Sequence, residues 1–193
     1  MKKPDSSKRN TVRIIGGTFR SRKLEFPDVA GLRPTADRIR ETLFNWVQDQ
    51  VPGETCLDLF AGSGAIGFEA LSRQAAKVVF VEKDRSALNS IAENMQLLEI
   101  NNAELVQADA QQWIDSVSKP EKKFGLVFLD PPFNKDLLYP VCEKLACSDL
   151  LKKKAKIYIE SSQDLDENKL PNEWTMLKNK KAGAVRYYLY ACA

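Results

Sequence analysis

Two short segments hold residues whose types and spacing could do chemistry. One is Asp58-Leu59-Phe60-Ala61-Gly62-Ser63-Gly64-Ala65-Ile66-Gly67, which contains a literal G-x-G-x-x-G. It follows an apolar, strand-like run and opens an amphipathic stretch. The other is Asp130-Pro131-Pro132-Phe133, again directly after an apolar run. A glycine loop at a helix N-terminus lets backbone N–H groups approach a ligand closely and favours negative groups on that ligand. Two successive prolines stiffen the chain and remove two donors, leaving carbonyls exposed as acceptors.

The glycine loop alone fits several adenosine cofactors, so its neighbours must choose between them. A dinucleotide would bring a pyrophosphate to this helix start. Asp58, four residues before the first glycine, would then place a carboxylate near that anion. S-adenosylmethionine has no phosphate. Its α-ammonium suits Asp58, directly or through water, and its carboxylate suits the N–H groups of the loop. Glu82 ends the next apolar run and is placed to accept both ribose hydroxyls, which any adenosine cofactor offers. Asp109 follows the third run; it is equally a partner for the adenine amino group and an N-cap for the helix that starts there. Asp84 reads as a plain N-cap.

An amino group on an aromatic ring is a poor nucleophile because its lone pair is delocalised. The Asp130 side chain and the Pro131 carbonyl could hold its two hydrogens and aim the lone pair at a methyl donor, while Phe133 stacks on the flat ring. Alone, the tetrapeptide is a turn; after the fourth strand, downstream of the glycine loop, it points to amine methylation.

The 193 residues contain no histidine. That excludes a Ser-His-Asp triad and histidine metal ligands, and no metal is expected. Cys56, Cys142, Cys147 and Cys192 have no C-x-x-C spacing and read as reduced thiols. No apolar run approaches a membrane span, and MKKPDSSKRN lacks the apolar core of a secretory signal, so a cytoplasmic, membrane-free and monomeric protein is expected. The net charge of +3 hides an asymmetry: residues 1–40 carry eleven Lys/Arg against four Asp/Glu, and the remainder eighteen against twenty-two. Residues 1–11 read as a disordered basic tail. Arg13, Arg20, Arg22, Lys23, Arg33, Arg38 and Arg40 lie among apolar residues that look folded, a pattern suited to a polyanion.

These residues need a scaffold, and the alternation of short apolar runs with helical stretches supplies one. The runs 56–60, 77–82, 103–107, 124–130 and 156–161 read as strands, and 64–74, 84–99, 109–118 and 136–147 as helices. This is the pattern of an α/β, mostly parallel, doubly wound sheet. Residues 173–181 and 185–191 read as an antiparallel hairpin at its edge. Upstream, 12–15 and 18–26 read as a hairpin turning at Gly16-Gly17, followed by a helix from Pro34-Thr35 to about Gln50 with Ile39, Leu43, Trp46 and Val47 on its apolar stripe. The expected organisation is a tail to residue 11, an RNA-binding extension over 12–52 and the catalytic domain over 53–193.

The order DLFAGSGAIG, VEKD, QADA, LDPPF resembles the class I (Rossmann-like) amino-methyltransferases. The segments RIIGGTFRSRKLEFP (13–27) and RPTADRIRETLFNW (33–46) resemble, more narrowly, the bacterial family that methylates N2 of guanine 966 in 16S ribosomal RNA. The likeness spans roughly residues 12–191. It implies S-adenosyl-L-methionine as donor and 16S rRNA in the 30S subunit, or an assembly intermediate of it, as partner. It places cofactor contacts at Asp58, Phe60, Ala61, Gly62, Ser63, Gly64, Glu82, Lys83, Asp109 and Ala110, and catalysis at Asp130, Pro131, Pro132 and Phe133. RNA contacts are expected from Arg13, Arg20, Arg22, Lys23, Arg33 and Arg38. Ser21 stands where the family's hairpin leads one to expect glycine. Competing readings are a DNA adenine-N6 methyltransferase, which the lack of room for a target-recognition domain disfavours; a nicotinamide oxidoreductase, which Asp58 disfavours; and a non-catalytic RNA-binding protein, which the intact Asp130 motif disfavours.

Overall fold

A computed structural model describes residues 9–29, 34–117, 123–132 and 137–193. The helices are α1 (Asp37–Trp46), α2 (Ala65–Ser72), α3 (Arg85–Leu97), α4 (Ala110–Ser116) and α5 (Leu138–Cys147). The strands are β1 (Arg9–Arg13), β2 (Lys23–Pro27), β3 (Thr55–Asp58), β4 (Lys77–Glu82), β5 (Ala103–Gln107), β6 (Phe124–Leu129), β7 (Leu151–Ser161), β8 (Thr175–Ala182) and β9 (Val185–Ala191). Among the described residues, seven strands form one sheet in the order β5-β4-β3-β6-β7-β9-β8, and β1 pairs β2 separately. The first five are parallel; β9 runs antiparallel to β7 and β8 antiparallel to β9. The chain thus walks outward from β3 to β5, then restarts on the other side of β3 at β6. That reversal leaves a crevice at the carboxyl ends of β3 and β6, where open α/β sheets bind ligands.

The central strands are apolar on both faces because helices cover both. Apart from Phe124, which falls in the second core at the register shift between Phe124 and Leu126, alternate residues sort onto opposite faces. Cys56, Phe80, Leu126, Phe128 and Tyr158 join a core with α1, α2 and α3. Leu57, Val79, Val81, Val127 and Ile159 join a second core with α4 and α5.

The N-terminal elements belong to the first core. Val12, Ile14, Leu24 and Phe26 from the hairpin and Ile39, Leu43, Phe44 and Val47 from the α1 region are all buried there. Trp46 is half-buried and packs on Tyr187 at 5.4 Å between ring centroids. The hairpin differs from expectation at both ends. β1 starts at Arg9, inside the segment expected to be a tail, and β2 starts only at Lys23. Gly16-Gly17 is not the turn. Gly17, at φ +76°, presses on the end of α2, where an added Cβ would meet the Ser72 carbonyl oxygen at 1.9 Å. Around it, Thr18 N–H donates to the Ser72 carbonyl (2.8 Å) and Phe19 N–H to Ser72 Oγ (2.9 Å).

A buried ionic hub fixes the same junction. Glu69 of α2, fully buried, accepts from Ile15 N–H (2.8 Å), Gly16 N–H (2.9 Å) and Arg73 Nε (2.8 Å), and faces Arg40 at 3.5 Å. Arg40 was expected among the cations available to a polyanion. It is 0% exposed and donates inward to the Thr35 and Arg13 carbonyls and to Asp37. Its net contribution is specificity of docking more than stability, since burying two charges costs about as much as their attraction returns; deleting one partner would cost about 3–5 kcal/mol.

Candidate active site

Four carboxylates stand along the carboxyl edge in strand order: Glu82 at the end of β4, Asp58 at the end of β3, Asp130 just past β6 and Glu160 near the end of β7. The pairing Leu129↔Ile159 sets Asp130 beside Glu160, and Asp58↔Phe128 sets Asp58 two residues short of Asp130. The sheet itself therefore assembles the row.

The loop between β3 and α2 turns through Gly62 (φ +52°) and Gly64 (φ +75°), a left-handed backbone that residues with a Cβ adopt only at a cost. Asp58 is 3% exposed, and its Oδ2 accepts from Gly67 N–H at 3.0 Å, satisfying a donor of the first turn of α2. Burial pushes its carboxyl up to about 7; the Gly67 N–H opposes the rise, and the carboxylates of Asp130 and Glu82 add to it. A carboxyl so poised gains strongly from a cation brought to it. Glu82 holds the loop: Oε2 accepts from Gly62 N–H (2.7 Å) and Oε1 from Asp84 N–H (2.7 Å). Each oxygen keeps a lone pair for a hydroxyl.

The remaining expected cofactor residues divide by what they offer. Ala61, Ser63 and Ala110 are buried, and Ser63 Oγ accepts from Ala65 N–H at 3.4 Å, so they present mainly backbone. Phe60 is half-buried against the second core. Lys83 is largely exposed and pairs with Asp109 Oδ2 at 3.3 Å. Asp109 caps α4 through Gln111 N–H (3.1 Å), so the capping role is realised. Partial burial pushes its carboxyl up, but Lys83 and the helix N–H groups of Gln112 and Gln111 outweigh this and hold it below the usual range. Asp84 caps α3, accepting from Ala87 N–H at 2.9 Å.

Asp130 lies in the switch-point crevice with Pro131 buried and Pro132 exposed beside it. Phe133 lies outside the described residues. Thr35, expected to open α1, instead stands before the helix and donates its hydroxyl to Asp130 Oδ2 at 3.2 Å. Burial raises the Asp130 carboxyl to about 6 against that hydrogen bond. Glu160, 2% exposed, accepts from the Tyr158 hydroxyl at 2.9 Å. Thr35, Tyr158 and Glu160 were not anticipated. One signal was available: Glu160 ends its apolar run as Asp58, Glu82 and Asp130 end theirs.

Of the cations expected to meet RNA, Arg20, Arg22, Lys23 and Arg38 are exposed, and Arg13 is exposed while bonded to Asp37 Oδ2 at 3.0 Å. Arg22 also reaches the Leu97 carbonyl at 3.4 Å. Arg33 lies outside the described residues. A cavity of about 390 Å³ between the hairpin and the approach to α1 is lined by Arg13, Lys23, Pro34 and Thr35 among others. It runs from the basic hairpin to the residues just before α1.

A carboxylate-rich crevice over a glycine loop, with an acceptor pair at Asp130-Pro131, fits S-adenosylmethionine as donor better than an anionic dinucleotide. Comparison with known proteins agrees. The sequence profile of the family described as conserved hypothetical protein 95 matches residues 12–191. Ribosomal RNA small subunit methyltransferase D of Escherichia coli K12 is 43% identical over 190 residues, 98% of this chain and 94% of that one. The protein of the same name from Haemophilus influenzae is 44% identical over 181 residues, 93% of each. The solved structure of Escherichia coli yhhF is 40% identical, has a TM-score of 0.83, and covers 95% of this chain and 98% of its own.

Proposed function

This chain belongs to the conserved hypothetical protein 95 family, and from that premise we propose that it transfers a methyl group from S-adenosylmethionine to the exocyclic N2 amino group of a guanine in the 16S RNA of the small ribosomal subunit. Relatives named for small-subunit ribosomal RNA support the substrate class; the N2 of guanine 966 follows the narrower resemblance of the N-terminal segments. The observation that carries the reading is the placement of Asp130-Pro131 beside the buried Asp58, at the end of the neighbouring strand.

Asp58 takes the cofactor's ammonium, the loop at Gly62–Gly64 its carboxylate, and Glu82 its ribose. S-adenosylmethionine supplies an electrophilic methyl on a sulfonium. The guanine must leave its stack to reach the crevice. There the free oxygen of Asp130 and the Pro131 carbonyl accept the two N2 hydrogens, and Phe133 stacks on the ring. Positioning of the two reacting groups is the main catalytic term. Asp130 takes a proton from N2 as the C–N bond forms, when that proton has become acidic. Arg13, Arg20, Arg22, Lys23, Arg33 and Arg38 grip phosphates around the target. Among the described residues the exposed large apolar side chains are Leu97 and Leu177, too little apolar surface to demand a second copy, which favours a monomer.

The test is mass mapping of 16S RNA from a strain lacking the gene, with and without its restoration. One N2-methylguanine should vanish and return. An unchanged methylation map would overturn the reading.

A further inference from the structure

Beyond the carboxylate row, the same edge of the sheet turns basic. β9 runs antiparallel to β7 and β8 antiparallel to β9, so the turn between them returns to the edge where Asp130 stands. One rung of the ladder shows this. Leu129 pairs with Ile159, which sets Asp130 beside Glu160; Glu160 pairs with Tyr187, and Tyr187 with Lys180. Neighbouring strands lie about 4.8 Å apart, so three spacings, about 14 Å, separate Lys180 from Asp130 along the sheet. The backbone beside an extruded base covers that distance in a few nucleotides.

β8 is the outermost strand on this side. Its sequence, TMLKNKKA, holds three lysines and no carboxylate, and Lys178, Lys180 and Lys181 are exposed. Opposed residues of an antiparallel pair share a face, and successive residues alternate. Lys180 opposes Tyr187 and Lys178 opposes Leu189, and both partners belong to the core that α1 covers. The two lysines therefore stand on the α1 side. Lys178 Nζ lies 6.0 Å from the centre of the Trp46 ring, a contact that places the ammonium without neutralising it. Near the other end of α1, Arg38 Nη2 lies 3.8 Å from where a Cβ on Gly183 of the β8–β9 turn would stand. Lys181 opposes Arg186 on the opposite face, where Asp164 holds Arg186.

Other exposed cations have carboxylate partners: Arg13 has Asp37, Lys144 has Asp115 and Lys152 has Glu54. Among the described residues, Arg38, Lys178 and Lys180 have none. Like charges left unpaired at the rim of a crevice raise the local potential for an anion. The N-terminal hairpin does not serve this rim, because β2 packs on α3, which lies over β4 and β5 at the far side of the sheet.

We propose that Lys178 and Lys180 of β8, with Arg38 of α1, form a second phosphate-binding surface that holds the ribosomal RNA on the side of the crevice away from the hairpin. The strand that carries the target base is then gripped on both flanks. The inference rests on the proposed 16S substrate and deepens it. Lys178 and Lys180 are two residues apart on a strand, about 7 Å, a spacing that suits successive phosphates of an extended chain. Charge on an open strand edge has another use, since it keeps the edge from pairing with a second chain. Guarding works with either sign of charge. Gripping RNA works only with positive charge, so reversing the sign separates the two.

The test measures binding of the full chain to 30S subunits across salt, beside single-turnover methylation, cofactor affinity and thermal unfolding. Lys178→Gln and Lys180→Gln should each reduce the slope of log affinity against log salt by about 0.7–0.9, and weaken binding by about five- to eightfold at about 0.1 M salt. The double variant Lys178→Glu with Lys180→Glu should bind more weakly still, although its edge stays charged. The rate at saturating subunits, cofactor affinity and Tm should stay near wild type, because neither lysine reaches the reacting groups. Lys153→Gln removes the same charge at the start of β7, the opposite end of the strands, and should leave the slope unchanged. A wild-type slope in the double Glu variant would reduce the lysines to guards of an open edge and overturn the inference. So would an equal loss from Lys153→Gln, which would trace the effect to net charge alone. Wild type that binds 30S subunits with these lysine-dependent slopes, yet transfers no methyl to them, would leave the surface standing and sink the N2 reading. Normal methyl transfer with slopes that ignore both lysines would do the reverse.

Discussion

The carboxyl edge of the sheet and the N-terminal hairpin both concentrate charge, and they treat it oppositely. At the edge, Asp58 and Glu160 are almost wholly buried, Asp130 is held by Thr35, and burial raises all three carboxyls above the ordinary carboxylate range. On the hairpin and α1, Arg13, Arg20, Arg22, Lys23 and Arg38 remain in water. Buried charge is held in one geometry and costs desolvation, which suits chemistry that needs a group aimed to within a fraction of an ångström. Exposed charge is cheap, mobile and screened by salt, which suits gripping a long polyanion at many points. Arg40 and Glu69 cross that division: a buried pair that fastens the exposed region to the helix behind the glycine loop.

The largest effect should follow loss of the aimed group. Asp130→Ala should lower kcat by on the order of 10²–10³-fold, the range for removing one preorganised polar contact to a reacting group, with cofactor affinity and unfolding temperature near wild type. Asp130→Asn should be milder, since its amide oxygen still accepts one hydrogen bond. Single-turnover methylation of 30S subunits beside thermal unfolding checks this. A normal rate per folded molecule would reduce Asp130 to a turn residue and dissolve the contrast.

Next comes the pH dependence of cofactor binding. Asp58 must ionise to meet an ammonium, and in the free protein it holds its proton up to about pH 7. Affinity should therefore be flat above pH 7 and fall by up to about tenfold per unit below it. The same raised carboxyl means the free fold binds more protons than the unfolded chain between roughly pH 4 and 7. Stability of the free protein should accordingly decline as pH rises through that window, and cofactor should offset the decline. Asp58→Asn should flatten the affinity profile and make the stability profile shallower, leaving the decline that the raised Asp130 and Glu160 carboxyls cause. Calorimetric affinities that ignore pH in wild type would place the ammonium elsewhere.

Much of this edge could be read before the structure, because each carboxylate closes an apolar run and the run length fixes where a parallel strand ends. β4 and β5 match their expected bounds to the residue. β7 begins at Leu151, five residues earlier than expected, because three exposed lysines (152–154) hide its start. Nothing local says that β9 inserts between β7 and β8. The hairpin was harder. Gly16-Gly17 looks like a turn, yet its glycines serve contact with Ser72, fifty-five residues on from Gly17. Arg40 looks like surface and Thr35 like a helix start for one reason: tertiary contacts, with Glu69 and with Asp130, decide them both.

Smaller, and on the exposed side, are the phosphate contacts. Neutralising Arg13, Arg20, Arg22, Lys23 or Arg38 should each reduce the slope of log affinity for RNA against log salt by about 0.7–0.9. Cofactor binding should not move. Titrations of 30S subunits at several salt concentrations measure this; identical slopes for wild type and the charge-removed protein would make the hairpin a solvated surface only. Arg13 should show the least change, because Asp37 already occupies its guanidinium.

The smallest effect separates backbone from charge within the hairpin. Ser21 sits at φ +68°, in the left-handed region that glycine tolerates and other residues enter at a cost of about 1–2 kcal/mol. Its amide still donates to the Ile14 carbonyl at 2.8 Å, so the conformation is required to close the hairpin onto β1. Glycine would relieve that strain and give back about 0.5–1 kcal/mol through the greater freedom of the unfolded chain. Ser21→Gly should therefore stabilise the protein by about 0.5–1 kcal/mol, a rise of roughly 1–4 °C in Tm for a chain of this size. The salt slope of RNA binding should be unchanged, since no charge moves. A Tm equal to or below that of wild type would mean that the left-handed backbone at Ser21 is already offset by contacts within the folded hairpin, and that its residue type is set by something other than backbone strain.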